Sequence, residues 1–511
     1  MDRHSPLHSA LLSPDQMHLM DLMAIDNGVP GFELMKNAGR AVFDRLIAAF
    51  PDVELIHIFC GPGNNGGDGY IVAELLRQAG RSVRVFALGD PEQLPGDGGF
   101  AFRQWRGETF PISEMEPDAA ELVVDALFGA GLARDIEGET AAIINEINES
   151  GTPVLSIDLP SGISGASGKV CGVGILAEET VTFFRQKPGH VLNPGKGHCG
   201  QITIADIGIA DKFLETLSVT TFENATGLWQ AVWPGYTPDS NKYTRGHAVI
   251  LSGGEFSTGA SRLSATAALR AGAGLVSVTG DRTALRVHAA HLTAVMLKPA
   301  DTLDELSDIL SDLRITAIGA GPGLGTDQSA RAKLDAVLAT SAALTLDADV
   351  FTLFADSPEV LFEQLKSRDR MSVLTPHEGE FKRIFGPLPA DADKMEIAKS
   401  AAERSTSVVV LKGSDTVIAA PDGRIAINSN APPWLSTAGS GDVLTGIITG
   451  LLAQGMPAFE AACAGVWLHG EAGNRCGPYL TADDLESGLA ELLEEDSHDW
   501  AEDIDAEETE D

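Results

Sequence analysis

The sequence predicts an α/β protein made of two successive three-layer αβα domains, each around a largely parallel sheet. Three observations carry that expectation. Short apolar runs rich in β-branched residues end in glycine clusters and pass into helical periodicity, the signature of βα units. Several of those runs lack polar alternation, as strands covered on both faces do. The 511 residues exceed a single domain, and 55 glycines with only 6% aromatic residues suit many short βα turns better than a β-sandwich.

Taken in order, Leu34, Ala38, Val42 and Leu46 recur at a spacing of four and predict an amphipathic helix. Val53 to Cys60 predicts a strand. A glycine cluster follows, then a helix through Ile71, Leu75 and Leu76, then a second strand from Val83 to Leu88. Further strands are expected at Leu122 to Val124, Val154 to Ile157 and Val181 to Phe184. After Ile209 the pattern becomes irregular, and Trp229, Trp233, Pro234 and Pro238 lie in a stretch without period. The domains are accordingly drawn as 1–225 and 226–493. The second series begins with strand Ala248 to Ser252, helix Ser261 to Ala271 and strand Leu275 to Thr279. It continues with strands near Thr316 to Gly319, Ala343 to Leu346, Ser372 to Leu374 and Val408 to Leu411. Val417 to Asn428 then reads as a hairpin turning at Pro421-Asp422-Gly423. Residues 494–511 hold 11 acidic residues and no Lys or Arg, which predicts a solvated, disordered tail.

Charge and cysteine usage narrow the function. Against 36 Lys and Arg stand 73 Asp and Glu, a formal net charge of −37 that repels nucleic acid and anionic membrane surfaces. Five cysteines without CxxC spacing suggest neither a disulfide framework nor a zinc site. The N-terminus shows no apolar signal region, and the most apolar stretch, Thr445 to Leu468, is broken by Gln454, Pro457 and Glu460. A cytoplasmic protein without membrane spans is therefore expected, as a homo-oligomer acting on small molecules.

In the first domain, Gly61-Pro62-Gly63-Asn64-Asn65-Gly66-Gly67-Asp68-Gly69 lies between a strand and a helix. Glycines there permit close backbone approach, and free N–H groups at a helix start favour a pyrophosphate. Gly61, Gly63 and Gly66 satisfy the Rossmann GxGxxG, with Asp90 near the position of a ribose-binding acid. Asp68 inside such a turn would repel phosphate unless it holds the loop, touches a hydroxyl or faces a cation. Two more strand-end carboxylates open glycine-containing loops: Asp125 before Ala126-Leu127-Phe128-Gly129-Ala130-Gly131-Leu132, and Asp158 before Leu159-Pro160-Ser161-Gly162. All three loops should converge at the carboxyl edge of the sheet.

Together these motifs, in this order and strand context, resemble the NAD(P)H-hydrate epimerase domain over about residues 10 to 215. Leu34-Met35-Lys36-Asn37-Ala38-Gly39-Arg40 is similar to the helix preceding its first strand. The resemblance implies K⁺ held by Asn65, Asp125 and Ser161. It also implies that the hydrated nucleotide contacts Asn64, Asn65, Gly66, Gly67 and Asp68, then Gly129, Ala130, Gly131, Leu132, Ala133, Arg134 and Asp135, and finally Asp158. Asp158 is the candidate acid/base residue, since proton transfer needs a positioned carboxylate; the rival role is anchoring a hydroxyl.

In the second domain, Thr437-Ala438-Gly439-Ser440-Gly441-Asp442 runs into an apolar helix, so backbone N–H groups form an anion hole beside a carboxylate. Lys412-Gly413-Ser414-Asp415-Thr416 lies between a strand and the hairpin, and no Walker A pattern occurs. This arrangement resembles the ribokinase-like superfamily. With Gly253-Gly254, Thr258-Gly259-Ala260, Gly321-Pro322-Gly323-Leu324-Gly325 and Pro376-His377-Glu378-Gly379-Glu380, it is similar to the NAD(P)H-hydrate dehydratase domain over roughly residues 235 to 490. Ser440 stands where that family places Thr, which keeps the hydroxyl. The resemblance implies hydrate contacts at Ala260, Gly323, His377 and Asp442, with Asp442 catalytic. It implies nucleotide contacts at Lys412, Gly413, Ser414, Asp415, Thr416 and Gly441, with Mg²⁺ and ADP, or ATP, as co-substrate.

The function so implied is repair of damaged nicotinamide cofactors: epimerisation of R and S NADHX and NADPHX, then nucleotide-dependent dehydration of the S form to NAD(P)H. Two alternatives stand beside it. One is a ribokinase-like kinase for a small alcohol fused to a nucleotide-binding sensor. The other is a first domain that serves only as a binding or scaffold module.

Overall fold

The computed structural model describes residues 5–116, 119–235, 237–389 and 392–495. From residue 496 on, the expected acidic tail lies outside the described residues. The chain divides into two compact units, Ser9–Phe222 and the residues from Glu223 onward. Among the described residues no helix is long and apolar enough to cross a membrane.

The first unit is built on seven strands: β1 (Leu55–Cys60), β2 (Ser82–Ala87), β3 (Thr109–Pro111), β4 (Leu122–Ala126), β5 (Val154–Ile157), β6 (Glu179–Phe183) and β7 (Gln201–Ala205). They pair in parallel in the order β3-β2-β1-β4-β5-β6-β7. The order reverses between β1 and β4, and a crevice opens beyond the carboxyl ends at such a point. Helix Gly31–Ala49 buries Leu34, Ala38, Val42 and Leu46, the stripe its spacing predicts. Phe59 and Phe86 stack at 5.4 Å between centroids in the core beneath the sheet.

The second sheet uses β8 (Thr221–Glu223), which ends on the first residue of the second unit, β9 (His247–Leu251), β10 (Leu275–Gly280), β11 (Met296–Pro299), β12 (Ile315–Ala320), β13 (Ala343–Leu346), β14 (Val373–Leu374), β15 (Val408–Leu411), β16 (Val417–Ala419) and β17 (Ile425–Ile427). Their order is β11-β10-β9-β12-β13-β14-β15-β16-β17-β8, parallel from β11 to β15, with the expected hairpin β16–β17 antiparallel at the end. Helix Ser440–Ala453 is buried from Val443 to Ala453 and packs on helix Thr258–Arg270. Hydrophobic residues fill both faces of the sheet, as uninterrupted apolar strands require.

The strands absent from the sequence expectation are β3, β7, β8 and β11. Each is short or partly exposed: β7 has one buried residue and β11 has none. Edge strands of that kind carry no continuous apolar run.

Two candidate active sites at the carboxyl ends of the sheets

At the switch point of the first unit lies a cavity of about 770 Å³, lined among others by Asn64, Asn65, Asp68, Gly129 to Arg134, Asp158 and Lys187. Close packing of backbone shapes its floor. A methyl group on Gly61 would stand 1.7 Å from the Leu127 carbonyl oxygen, so only glycine lets the loop after β1 touch the loop after β4. Gly66 and Gly67 do not line the cavity; Gly66 abuts Gly61, and Gly67 abuts Met35 and Gly98. Asp135 is exposed beside it. Asp90 lies away from it and caps the turn at Pro91, accepting from Glu92 N at 3.0 Å and Gln93 Nε2 at 2.9 Å.

Beneath the cavity, Asp125 is buried at the end of β4. Its Oδ1 accepts from Ser161 Oγ at 2.5 Å and Leu127 N at 3.2 Å, and its Oδ2 accepts from Ser161 N at 2.8 Å and Ser156 Oγ at 3.0 Å. These donors are all neutral, and burial pushes the Asp125 pKa up against them. Asn65 lies within reach of Gly129, and its Nδ2 is buried without a hydrogen-bond partner.

Asp158 follows β5 with φ +66°, a left-handed conformation that L residues seldom adopt. Its carboxylate is held from several sides. Lys187 Nζ donates to Oδ1 at 2.6 Å, Thr182 Oγ1 at 3.1 Å, and the Ala130 amide donates to Oδ2 at 3.0 Å. The ring of His190 bonds the Asp158 carbonyl at 2.8 Å. Burial opposes ionisation of Asp158, but the Lys187 ammonium and these hydrogen bonds outweigh it and hold its pKa at about 2. Asp68 faces the opposite balance: burial and the charges of Asp158 and Asp21 push it well above the usual carboxylate range.

In the second unit, Asp347 follows β13 and Lys412 follows β15. Lys412 Nζ donates to Asp347 Oδ1 at 2.8 Å, and Thr445 Oγ1 donates to Oδ2 at 2.9 Å. A methyl on Gly441 would lie 3.4 Å from Lys412 Nζ, so the ammonium stands at the amino end of helix Ser440–Ala453. Gly439, at φ +90°, turns the chain into that helix. Burial and Asp347 push the pKa of Asp442 up to about 6, with Lys412 acting against them. Ser440 Oγ is 3.0 Å from the buried His469 Nε2. Gly323 and Ala260 are neighbours across the loop after β12.

His377 bridges Lys412 through the backbone and caps helix Glu378–Phe385, accepting from Gly379 N at 2.9 Å and Glu380 N at 3.4 Å. Its Nε2 faces Glu380 Oε1 at 3.3 Å. In the loop of Lys412 to Thr416, Thr416 Oγ1 accepts from Gly413 N at 3.2 Å, and Asp415 is paired with Lys394.

Comparison with known proteins agrees with this division. Residues 31–189 match the family model described as YjeF-related protein N-terminus, and residues 248–490 match the NAD(P)H-hydrate dehydratase model. The bifunctional NAD(P)H-hydrate repair enzyme of Moorella thermoacetica is 36% identical over 493 residues, covering 91% of this chain and 92% of its own. That of Coxiella burnetii is 33% identical over 468 residues, covering 90% and 93%. The chain belongs to the bifunctional NAD(P)H-hydrate repair enzyme family. Among solved structures, the ADP/ATP-dependent NAD(P)H-hydrate dehydratase of Bacillus subtilis aligns with 52% of this repair enzyme and 95% of its own chain, at 29% identity and a TM-score of 0.45.

Sequence reasoning about this NAD(P)H-hydrate repair enzyme missed Lys187, Asp21, Asp347 and His469. Asp347 carries the same signal as Asp125 and Asp158, a carboxylate directly after an apolar strand. Lys187 follows β6 within Phe184-Arg185-Gln186-Lys187-Pro188-Gly189, where nothing local distinguishes it from a surface lysine; the fold buries it to 1% exposure.

Proposed function

We propose that residues 1–225 interconvert the R and S epimers of NADHX and NADPHX, and that residues 226–493 dehydrate the S epimer with a phosphoryl donor. The observation that carries this is the pairing, in one chain of this family, of a cavity holding an ionised, immobilised carboxylate with a separate anion hole holding a proton-accepting one. Asn64, Asn65, Asp68, Gly129 to Arg134 and Asp158 are the contacts we assign to the hydrate in the first unit. Asp158, kept ionised by Lys187, stabilises positive charge on the ring as the hydroxyl departs and accepts a proton from the water that returns.

Asn65, Asp125 and Ser161 offer oxygen ligands of the kind a monovalent cation takes: an amide carbonyl, a buried carboxylate met only by neutral donors, and a hydroxyl. K⁺ bound there supplies positive charge beneath the phosphate-binding loop.

In the second unit, Asp442 accepts the proton of the hydrate hydroxyl while that oxygen attacks the terminal phosphoryl group of ADP or ATP. The Gly441 N–H at the amino end of helix Ser440–Ala453 and the Lys412 ammonium offset the phosphate charge, whereas the Ser440 and Asp442 amides donate to the Thr437 and Gly439 carbonyls. The phosphate ester formed is a far better leaving group than hydroxide. Loss of phosphate with the neighbouring ring proton restores the double bond of NAD(P)H. The Mg²⁺ that accompanies nucleotide phosphates would be held chiefly by those phosphates and water, since among the described residues no three carboxylate, imidazole or thiol groups converge to hold a metal ion. Ala260, Gly323 and His377 are assigned to the hydrate, and Gly413 to Thr416 with Gly441 to the nucleotide.

The test is recovery of reduced-nicotinamide absorbance from mixed R and S hydrate with ADP, and separately with ATP. ADP is the expected donor; no recovery with either would sink the assignment. We also take the enzyme to be a cytoplasmic homo-oligomer, checked by cell fractionation and analytical ultracentrifugation.

A further inference from the structure

Asp21 lies on helix Pro14–Asp26, outside the span matched to the family model, yet its side chain faces the cavity of the first unit. The helix is fixed at its start by a capping box, in which Gln16 N donates to Ser13 Oγ at 3.2 Å and Ser13 N donates to Gln16 Oε1 at 2.9 Å. Met17, Met20 and Ala24 form its buried stripe. Asp21 stands inside that stripe at helical spacing, where an apolar residue is the ordinary choice. Among the described residues no hydrogen bond to its carboxylate is recorded, whereas Asp158 in the same cavity is bonded from three sides.

Epimerisation inverts one carbon and needs a proton delivered and a proton withdrawn. An enamine adds water with oxygen on the carbon next to nitrogen, so the hydroxyl of the hydrate sits beside the ring nitrogen. Cleavage of that C–O bond, with its electron pair leaving on oxygen, needs a proton donor; the nitrogen lone pair stabilises the cation left behind. Addition of the water to the opposite face needs a base. Asp158, locked to a buried ammonium, is ionised and cannot donate.

We propose that Asp21 is the general acid of the epimerase site, protonating the departing hydroxyl from the helical wall while Asp158 serves as the base. This rests on the epimerase assignment. Water forms from the hydroxyl and the Asp21 proton, Asp158 takes a proton as water re-adds, and exchange with solvent resets both carboxyls, so the reaction balances. The titratable groups facing Asp21 are Lys187, Asp158, His18 and Asp68. Burial, opposed by Lys187 and reinforced by Asp158, raises the Asp21 pKa to about 6, so the acid form persists toward neutral pH. Asp68 is buried deeper, and burial with the charges of Asp158 and Asp21 pushes its pKa well above the ordinary carboxylate value.

With the full chain and mixed hydrate, absorbance recovers in two phases: dehydration of S, then conversion of R limited by epimerisation. Asp21→Asn is expected to slow the second phase about 100-fold or more, to the uncatalysed rate, with KM for the R hydrate changed less than about threefold. The wild-type epimerase kcat should fall about tenfold per pH unit above about pH 6, and that limb should be missing in Asp21→Asn. Formate should restore the second phase to Asp21→Ala, and chloride should not. A variant within about threefold of wild type, a retained pH limb, or absent formate rescue would each overturn the proposal. A wild type with no catalysed second phase would instead remove the epimerase assignment on which it rests.

Discussion

Two aspartates, one in each unit, show how environment alone sets the work a carboxyl can do. Asp158 is held at about 2 and Asp442 at about 6, from a common ordinary value of 3.8. The depressed group contributes stability that is present above pH 4 and lost as pH falls through about 2. The raised group has the opposite sign: its advantage is present below pH 4 and lost as pH rises through about 6, so the charged form strains the site. Asp158→Asn leaves Lys187 buried without a counter-charge and should destabilise the first unit at neutral pH by about 3–5 kcal/mol. Asp442→Asn should stabilise the second unit at pH 8 by about 1–2 kcal/mol, allowing for solvent screening, and by nothing at pH 4, while dehydratase activity is lost. Urea unfolding of both variants at the two pH values checks this. Equal signs for the pair would contradict the assignment. Asp125, Asp158 and Asp442 were legible because each stands beside a strand end or helix start in an unbroken motif. Asp21 and Lys187 were not, because the motif rules see chain neighbours, and theirs are ordinary.

Among the elements, the loops after β1 and β4 depend on one another more than on their own residues. The 1.7 Å approach of a methyl on Gly61 to the Leu127 carbonyl cannot be relieved by a side-chain rotation, because both partners are backbone. Gly61→Ala should cost the first unit more than about 3 kcal/mol and abolish epimerisation by parting the two loops. Dehydration of S hydrate by the same protein should continue. Thermal unfolding with the two-phase absorbance assay reads both effects, and a fully active, fully stable variant would refute the packing argument. Central strands such as β5, β13 and β15 agree with their expected limits because each is a fully buried run of four residues, all apolar but for Ser156 in β5 and Thr345 in β13. The edge strands β3, β7 and β11 had no such signal; pairing to a neighbour already in place is what makes them strands.

For the whole molecule, a net charge of −37 surrounds two sites whose proposed ligands are polyanions. Global repulsion should raise KM at low salt, and screening should relieve it. With KCl held constant, raising NaCl from about 20 to about 200 mM should lower KM for both hydrate and nucleotide about two- to fivefold, since the Debye length shrinks from about 20 Å to below 10 Å. A KM that rises with salt would mean that the local positive groups, Lys187 and Lys412 with the helix N-termini, dominate the encounter. The overall charge disfavours a phosphate-backbone partner, but phosphate ligands are governed by charges within a few ångströms.

The sequence by itself determined the α/β class, the βα order, the two sets of glycine-rich loops and the family they resemble, because each is written in consecutive residues whose spacing has a direct backbone consequence. Tertiary structure alone decided which carboxyl is pulled toward its ionised form and which is pushed toward its neutral one, and which glycines face a cavity and which face other backbone. It also decided that a lysine distant in the chain from Asp158 would be sealed against it. Those outcomes depend on burial and on distances of a few ångströms between separate elements, and no local pattern encodes them.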